Sequence, residues 1–560
     1  MNFEIELRRH WWFDAGIAGL YSISACSDER LRKYDVRIEV DHDKQVLRFV
    51  ASNSDELRAF LTECYESLAE RYWNVSTIKQ KENPELVVYE QGKDALTMAP
   101  KRKPVPIVSM FVGARSWQGE GICEGEIKEP LKSRVSDFLK DNKAKLWGSK
   151  KLLLFSPPVC QQKLIILPEE KKKAKKDTCC VCGRQSEFTG DVGLPSFLLF
   201  ASSNASKSFN SQGKNPAKIC WECEFISKFA IESAIYKKTG ESIFIMQVTS
   251  PDVGKLMEMQ REFGSLSSLR MLDDKYYYSN IGQEQDSLIR LCSRPYELLW
   301  AFLEEKYNFI QKESSENNEA LRELDFDNFM ADFLEKVSIA PVQVEMLHAI
   351  DSGDTFLTKN LIIFDDLTYF YRLIHHIKKS GVDTGSLFQS LYEDKSMIRE
   401  KVFRNVLLKN SILRTIEQFS FRKVMMGEML SMNNILKFTV EYQQIIRGDE
   451  MNKEQIETAV NLGKQIVIQA VESGKDGNES EKQALKKIKG DLYQLRKART
   501  RSDFLSQLNN LQFRYGISVS KHILDGMLEE VDFEDFRAYC VLGALNIYNT
   551  KNRDKEEKQV

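Results

Sequence analysis

The chain has 560 residues, 42% of them hydrophobic, with 80 Lys and Arg against 82 Asp and Glu and 11 cysteines. That length calls for several domains, each with its own core, and the near-balanced charge excludes a globally basic protein, so any affinity for nucleic acid has to come from local patches. An odd number of cysteines, scattered singly at Cys26, Cys64, Cys123, Cys160, Cys292 and Cys540 around one cluster, excludes a disulfide-stapled scaffold and points to a reducing cytoplasm.

Phe3, Ile5 and Leu7 alternate with Glu4 and Glu6, which predicts a first strand. Arg8-Arg9 ahead of an apolar run to Cys26 imitates a signal peptide, but Glu4, Glu6 and Asp14 are acidic where that pattern has none and the run is too short to span a bilayer. Trp11 to Leu20 reads as a turn into a tightly packed helix in which Gly16 and Gly19 allow close approach. Val36, Ile38 and Val40 against Val46 and Phe49 predict a hairpin turning at Asp41-His42-Asp43-Lys44. His42-Asp43 also spells the core of an HD metal-nuclease motif, which lacks its further ligands. Leu57, Phe60, Leu61 and Cys64 follow at helical spacing, with Ser54 as the expected N-cap. Gly113, Gly119, Gly121 and Gly125 lie in a loop without phosphate-loop spacing; they read as turns first and as ligand contacts second.

Glu169 to Lys176 is a charged linker. Beyond it come two CxxC pairs, Cys179 with Cys182 and Cys220 with Cys223. A gap of two residues lets both sulfurs of a pair face one point, and Zn²⁺ takes four thiolates tetrahedrally at about 2.3 Å, so one structural zinc is expected. Cys180 is a bystander, and Gly183 suits the turn after a metal knuckle. The segment between the pairs is too long for a short zinc ribbon and too polar to pack a core. Its Asn204, Asn210 and Gln212 are side chains that pair with base edges, and Lys207, Lys214 and Lys218 can meet phosphates.

After a strand from Glu241 to Val248 the chain is expected to turn almost wholly helical, with Ser250-Pro251 opening the first helix. Leu299, Leu303, Tyr307 and Ile310 form one apolar stripe and Ile412, Ile416 and Phe419 another; His375-His376 reads as a surface feature. From about Val424 a further bundle is expected. In it Leu485, Ile488, Leu492 and Leu495 make the core face of a markedly basic helix, and Lys486, Lys489, Arg496, Lys497, Arg499 and Arg501 are candidate DNA contacts. The tail from Asn552 is expected to be disordered. The resulting fold class is α+β. Its expected segments are an N-terminal α/β domain at 1–168, a zinc-clamped subdomain with the polar insert at 169–249, a helical domain at 250–423 and a C-terminal helical bundle at 424–560. No phosphate-binding loop, nucleophile elbow, HExxH or acidic triad is present, so the chain is not expected to be an enzyme.

The early tryptophan with the Gly-Ile-x-Gly-Leu run at Gly16 to Leu20, the two CxxC pairs, the polar insert and the long helical C-terminal part together resemble the CXXC-CXXC large subunit of a type I-B CRISPR Cascade complex. The specific matches lie at residues 11–20 and 179–223. The resemblance implies a chain that sits at the handle end of a guide RNA, reads the protospacer-adjacent motif on duplex DNA, supports R-loop formation and recruits a separate helicase-nuclease for antiviral defence. It also implies backbone, handle-binding and small subunits as partners, and a final bundle that resembles the small subunit. Alternatives are a metal-dependent nuclease built on His42-Asp43, a thiol oxidoreductase using Cys179 and Cys182, and a zinc-ribbon scaffold in another nucleoprotein complex.

Overall fold

The computed structural model describes residues 1–25, 29–72, 78–101, 117–118, 120–147, 150–156, 159–160, 164–169, 176–193, 196, 217–264, 288–316, 342–351, 356–393, 397–447, 451–476 and 480–556. The chain is α+β. It divides into two compact units, Met1–Gln285 with Asn318–Leu367, and Asp286–Asn317 with Thr368–Val560. The expected segments 1–168 and 169–249 thus share the first unit, 250–423 contributes to both, and 424–560 belongs to the second.

In the first unit, strand β1 (Asn2–Glu6) has Phe3 and Ile5 buried, as its alternation requires, and pairs antiparallel with β3 (Val46–Val50), which pairs with β2 (Arg37–Asp41). His42 and Asp43 lie in the tight β2–β3 turn, as expected. Helix α1 (Trp11–Ser24) is buried without a break from Trp12 to Leu20. A helix apolar all round belongs in the middle of a core rather than on its surface. It packs with the β1–β3 sheet, α2 (Ser54–Tyr72), α4 (Trp221–Ser233) and α5 (Val253–Gly264) in one cluster that includes Trp12, Ile17, Phe49, Leu61, Phe229 and Leu256. The N-cap of α2 is Asn53, whose side chain accepts from Glu56 N at 2.8 Å, one residue before the expected Ser54. A separate small core forms where β4 (Leu86–Glu90), β5 (Ala95–Ala99), β6 (Gly121–Cys123) and β7 (Leu152–Leu154) join in the order β5-β4-β7-β6 against α3 (Leu131–Asp141). Gly121 lies within β6 and Gly125 in the short turn after it, while Gly113 and Gly119 fall outside the described residues.

Past the metal-binding segment, β12 (Ile235–Thr239) and β13 (Ser242–Thr249) start a four-stranded antiparallel meander completed by β14 (Gln343–Asp351) and β15 (Phe356–Phe364). Strands β14 and β15 correct the expectation of an almost wholly helical course after Val248. Strand β14 pairs with β13, about a hundred residues earlier in the chain, a partner that local pattern does not announce, and β15 then pairs with β14. Helix α5 is opened by Asp252, which accepts from Lys255 N at 2.7 Å, rather than by Ser250-Pro251.

The second unit is helical. Helix α6 (Pro295–Glu316) carries Trp300, which packs on Phe370 of α7 (Leu367–Lys379), Phe403 of α8 (Ile398–Leu407) and Phe438 of α10 (Met432–Arg447). Leu299, Leu303 and Tyr307 are buried as their stripe predicts; the side chain of Ile310 lies outside the described set. Helix α9 (Leu413–Met425) buries Ile416 and Phe419. The chain ends in α11 (Lys453–Asp476), α12 (Glu481–Lys497), α13 (Arg501–Tyr515) and α14 (Phe533–Glu556). Helix α14 runs through Asn552, so disorder does not begin there as expected, and residues 557–560 lie outside the described set.

Candidate metal centre

The first cysteine pair sits on a turn between two short strands, β8 (Asp177–Thr178) and β9 (Gln185–Ser186). Cys179 N donates to Arg184 O and Gly183 N donates back to Cys179 O, both at 2.9 Å. Gly183 adopts φ +73°, a left-handed conformation that costs a residue without Cβ nothing. The second pair opens α4, with Cys220 as N-cap and Cys223 three residues on. Both sulfurs therefore lie at the positive end of a helix, which favours thiolate over thiol. The two halves are joined by Cys180 N donating to Lys218 O at 2.8 Å.

All four sulfurs lie within 4.8 Å of one another, and Cys182 Sγ is 3.8 Å from Cys220 Sγ. Four thiolates on one ion at about 2.3 Å stand about 3.8 Å apart in a tetrahedron, whereas a disulfide requires about 2.05 Å. The cluster can hold one metal ion, and among the described residues no other set of His, Cys, Asp and Glu converges in this way. Hydrogen bonds from the thiols of Cys182, Cys220 and Cys223 hold Cys179 well below its ordinary range, while its Cys179, Cys182 and Cys220 neighbours push Cys223 up. A bound cation removes that conflict by taking all four as thiolates. Cys180 is exposed and stands outside the cluster, as expected.

The surroundings tie this centre to the core of the unit. Cys179, Cys220 and Cys223 pack in one apolar cluster with Val192, Ile219 and Phe13 of α1. Glu222, between the second pair of cysteines, accepts from Arg8 and, at 3.1 Å, from Arg184, which also reaches Glu6 at 2.8 Å. The Arg8 and Glu222 side chains are only 2% and 11% exposed. Asp14, in the first turn of α1, accepts from Arg8 N at 2.6 Å and from His10 N at 3.1 Å, and burial pushes its carboxyl up to about 6. Phe13, Arg8 and Asp14 are not legible as parts of a site, because what joins them to Glu222 and the sulfurs is folding across some two hundred residues, and Arg184 meets Glu222 only where the chain returns after the polar insert. A cleft of about 230 Å³ beside the centre is lined by Lys176, Arg184, Gln185, Ser186, Trp221 and Glu222, but Arg184 and Glu222 already satisfy each other.

The insert leaves from the base of this centre. Strand β10 (Thr189–Asp191) pairs antiparallel with β11 (Lys218–Cys220), and Val192 N donates to Ala217 O at 3.0 Å, so the two ends of the intervening segment are held side by side. Of the candidate DNA contacts there, Asn204, Lys207, Asn210, Gln212 and Lys214 lie outside the described residues. Lys218 is described and paired with Asp191.

In the second unit the candidate basic residues divide. Lys489 donates to Met425 O at 2.7 Å, and Arg496 bonds Glu417 at 2.6 Å while lying over the Phe421 ring, so both serve the packing of α12 on α9. Lys486, Lys497, Arg499 and Arg501 are exposed. His375 meets the Tyr307 hydroxyl at 2.9 Å and His376 meets Glu441 at 2.6 Å; neither joins a metal-binding set. No helix among the described residues is long and apolar enough to cross a membrane. Neither a family model nor a curated protein matches the chain.

Proposed function

We propose that this chain is the large subunit of an RNA-guided surveillance complex of the type I-B CRISPR Cascade kind, non-catalytic itself, with one structural zinc at Cys179, Cys182, Cys220 and Cys223. One observation carries the reading: the two places on which the resemblance rests, residues 11–20 and the two cysteine pairs, pack together in the fold. Gly16 and Gly19 of α1 lie directly against the Ile226 and Phe229 carbonyls of α4, and Phe13 packs among the metal-binding cysteines. Four cysteine sulfurs within 4.8 Å of one another, two of them on a helix N-terminus, are the kind of donor set that a closed structural zinc site uses.

In this reading the metal holds both ends of the insert together, and Asn204, Asn210 and Gln212 read the protospacer-adjacent motif while Lys207 and Lys214 hold the backbone in register. Guide pairing reads the remaining target sequence, the helical unit steadies the opened strands, and cutting falls to a separate helicase-nuclease. A nuclease built on His42-Asp43 has less in its favour, because the His42 ring covers the backbone at Gly254 and His42 belongs to no group of three or more converging metal ligands among the described residues. The test is co-expression with candidate backbone and handle-binding subunits and a guide RNA. Co-purification of this chain with the guide-loaded subunits is the expected result. A chain that stays free of them, or that nicks DNA alone in a metal-dependent manner, sinks the proposal.

A further inference from the structure

Phe513 is 93% exposed on α13, far beyond any other large apolar side chain among the described residues, the next being Met426 at 69%. The helix is otherwise orthodox: Phe504, Leu508, Leu511 and Tyr515 make its buried stripe. On the opposite side, at steps of three and four, Ser506, Asn509, Asn510 and Phe513 are all exposed, so an uncharged row of one hydroxyl and two amides ends in an aromatic ring. A solvated helix face ordinarily carries Lys and Glu. This one carries neutral hydrogen-bonding groups, one turn apart, below a ring that nothing among the described residues covers.

The charge around that row is mostly positive. Residues 481–515 hold nine Lys and Arg against three Asp and Glu, in a chain whose net charge is −2. Each of the three acids is already engaged: Glu481 with Lys551 at 3.9 Å, Asp491 with Arg514 and the Tyr515 hydroxyl, and Asp503 with Thr500 N at 3.2 Å in the cap of α13. Lys497, Arg499 and Arg501 are exposed where α12 gives way to α13, toward the Ser506 end of the row.

We infer that this face of α13 is a single-strand nucleic-acid platform: one base stacks on Phe513, Asn509 and Asn510 meet neighbouring base edges, the Ser506 hydroxyl meets the backbone, and Lys497, Arg499 and Arg501 hold the phosphates. Amides pair with base edges and hydroxyls serve phosphates, so the order of side chains along the row suits a strand running from the basic corner to the ring. Every base has a π-face, so stacking of this kind tolerates sequence, and cations near the ring supply the salt-dependent part of the affinity. A duplex hides its base faces and gains nothing from the ring. The inference deepens the nucleic-acid reading of the helical unit, but it concerns the isolated chain and needs no guide or partner subunit.

The experiment measures binding of the full-length chain to labelled oligo(dT), oligo(rU), an abasic deoxyribose-phosphate strand and a duplex. Phe513→Ala is expected to weaken binding to a base-bearing strand about fivefold or more, leave the abasic strand unchanged, and keep the thermal unfolding midpoint, since so exposed a ring adds little to the packing. Phe513→Trp should retain binding. Arg499→Ala with Arg501→Ala should weaken all strands alike and flatten the salt dependence. A loss confined to oligo(dT) assigns DNA, and one confined to oligo(rU) assigns RNA. Wild-type affinity of Phe513→Ala for both, or a wild type that binds duplex or abasic strand as well as it binds bases, overturns the inference and makes Phe513 a protein contact. Because no other subunit is present, that failure would leave the co-purification test of the complex untouched.

Discussion

Each unit of this protein contains a pair of helices whose backbones touch, and the two pairs are built differently. In the first unit both glycines are on one helix: a Cβ at Gly16 or Gly19 of α1 would overlap the Ile226 or Phe229 carbonyl of α4. In the second unit each helix gives one: a Cβ at Gly463 of α11 would overlap Cys540 O, and one at Gly543 of α14 would overlap Val460 O. The α11–α14 pair is held by apolar packing around Ala459, Val460, Ile466, Cys540 and Ala544. The α1–α4 pair has in addition a buried Arg8–Glu222 ion pair, a Ser233 hydroxyl donating to Ala15 O at 2.6 Å and the four cysteines at one end. Close approach therefore needs no metal. What the cysteines add is a tie beside Val192 and Ala217, the two ends between which the polar segment runs in the sequence.

Removing the metal should break the comparison most. A four-thiolate metal contributes on the order of 10 kcal/mol to folding, so Cys220→Ser, or a strong chelator, is expected to abolish the one metal ion per chain in elemental analysis and to raise amide exchange in α1 and α4. Protection in α11 and α14 should persist. Equal loss in both pairs would show that the centre supports the whole chain rather than its own unit.

The next largest effect belongs to the ion pair that only the first pair of helices has. Glu222→Gln takes from the buried Arg8 guanidinium the carboxylate it is paired with, a change that costs about 3–5 kcal/mol. The expected result is a destabilised first unit at full metal occupancy, read by denaturant unfolding together with elemental analysis. Loss of the metal at the same time would mean that Glu222 positions the cysteines on either side of it.

Glycine substitutions sharpen what the two pairs share. Gly16→Ala and Gly463→Ala each force a methyl group into a facing carbonyl, at about 3 kcal/mol, the upper end of overpacking costs. Similar losses at both sites are expected in urea unfolding, each confined to its own unit by amide exchange. Only the first of these sites is legible in the sequence, because Gly16 and Gly19 stand three apart in an apolar run beside two tryptophans, whereas Gly463 and Gly543 are single glycines eighty residues apart. The same distinction runs through the molecule. The first strand, the β2–β3 hairpin, the four cysteines and the Leu485 to Leu495 stripe are readable because their partners are near or their chemistry is specific. Strand β14 on β13, the Arg8–Glu222–Arg184 group and the inward turn of Lys489 and Arg496 are not, since each depends on a partner that only the folded chain supplies. The caps of α2 and α5 lie one or two residues from the positions the sequence suggests, because Asn53 and Asp252 compete with the serines near them.

The smallest expected effect tests whether the central helix of each unit is held at its start in the same way. Asp14 accepts the two amides that lead into α1, and Glu400 accepts Tyr296 N and Glu297 N at the start of α6, at 2.9 and 3.1 Å. Burial pushes Asp14 up to about 6 and Glu400 up to about 7. An acid whose pKa is higher in the folded state keeps its proton there while the unfolded chain releases it, so stability falls as pH rises through the interval between the two values. For Asp14 that interval runs from the ordinary 3.8 to about 6, and for Glu400 from 4.5 to about 7. Each contributes a decline of about 2 kcal/mol across its window, at about 1.4 kcal/mol per unit less an allowance for residual solvent. The units differ in what opposes the decline. Burial lowers the pKa of His10, beside Asp14, so its contribution is lost as pH falls and runs against that of the aspartate. The second unit should therefore show the steeper net loss between mildly acidic and neutral pH, and Glu400→Gln should remove it. In the first unit the wild-type decline should be shallower than Asp14 alone would give, and Asp14→Asn should uncover the opposite slope of His10. Variant pH profiles that run parallel to the wild type, with amide exchange at α1 and α6, would show instead that neither carboxyl has a different pKa in the folded and the unfolded chain.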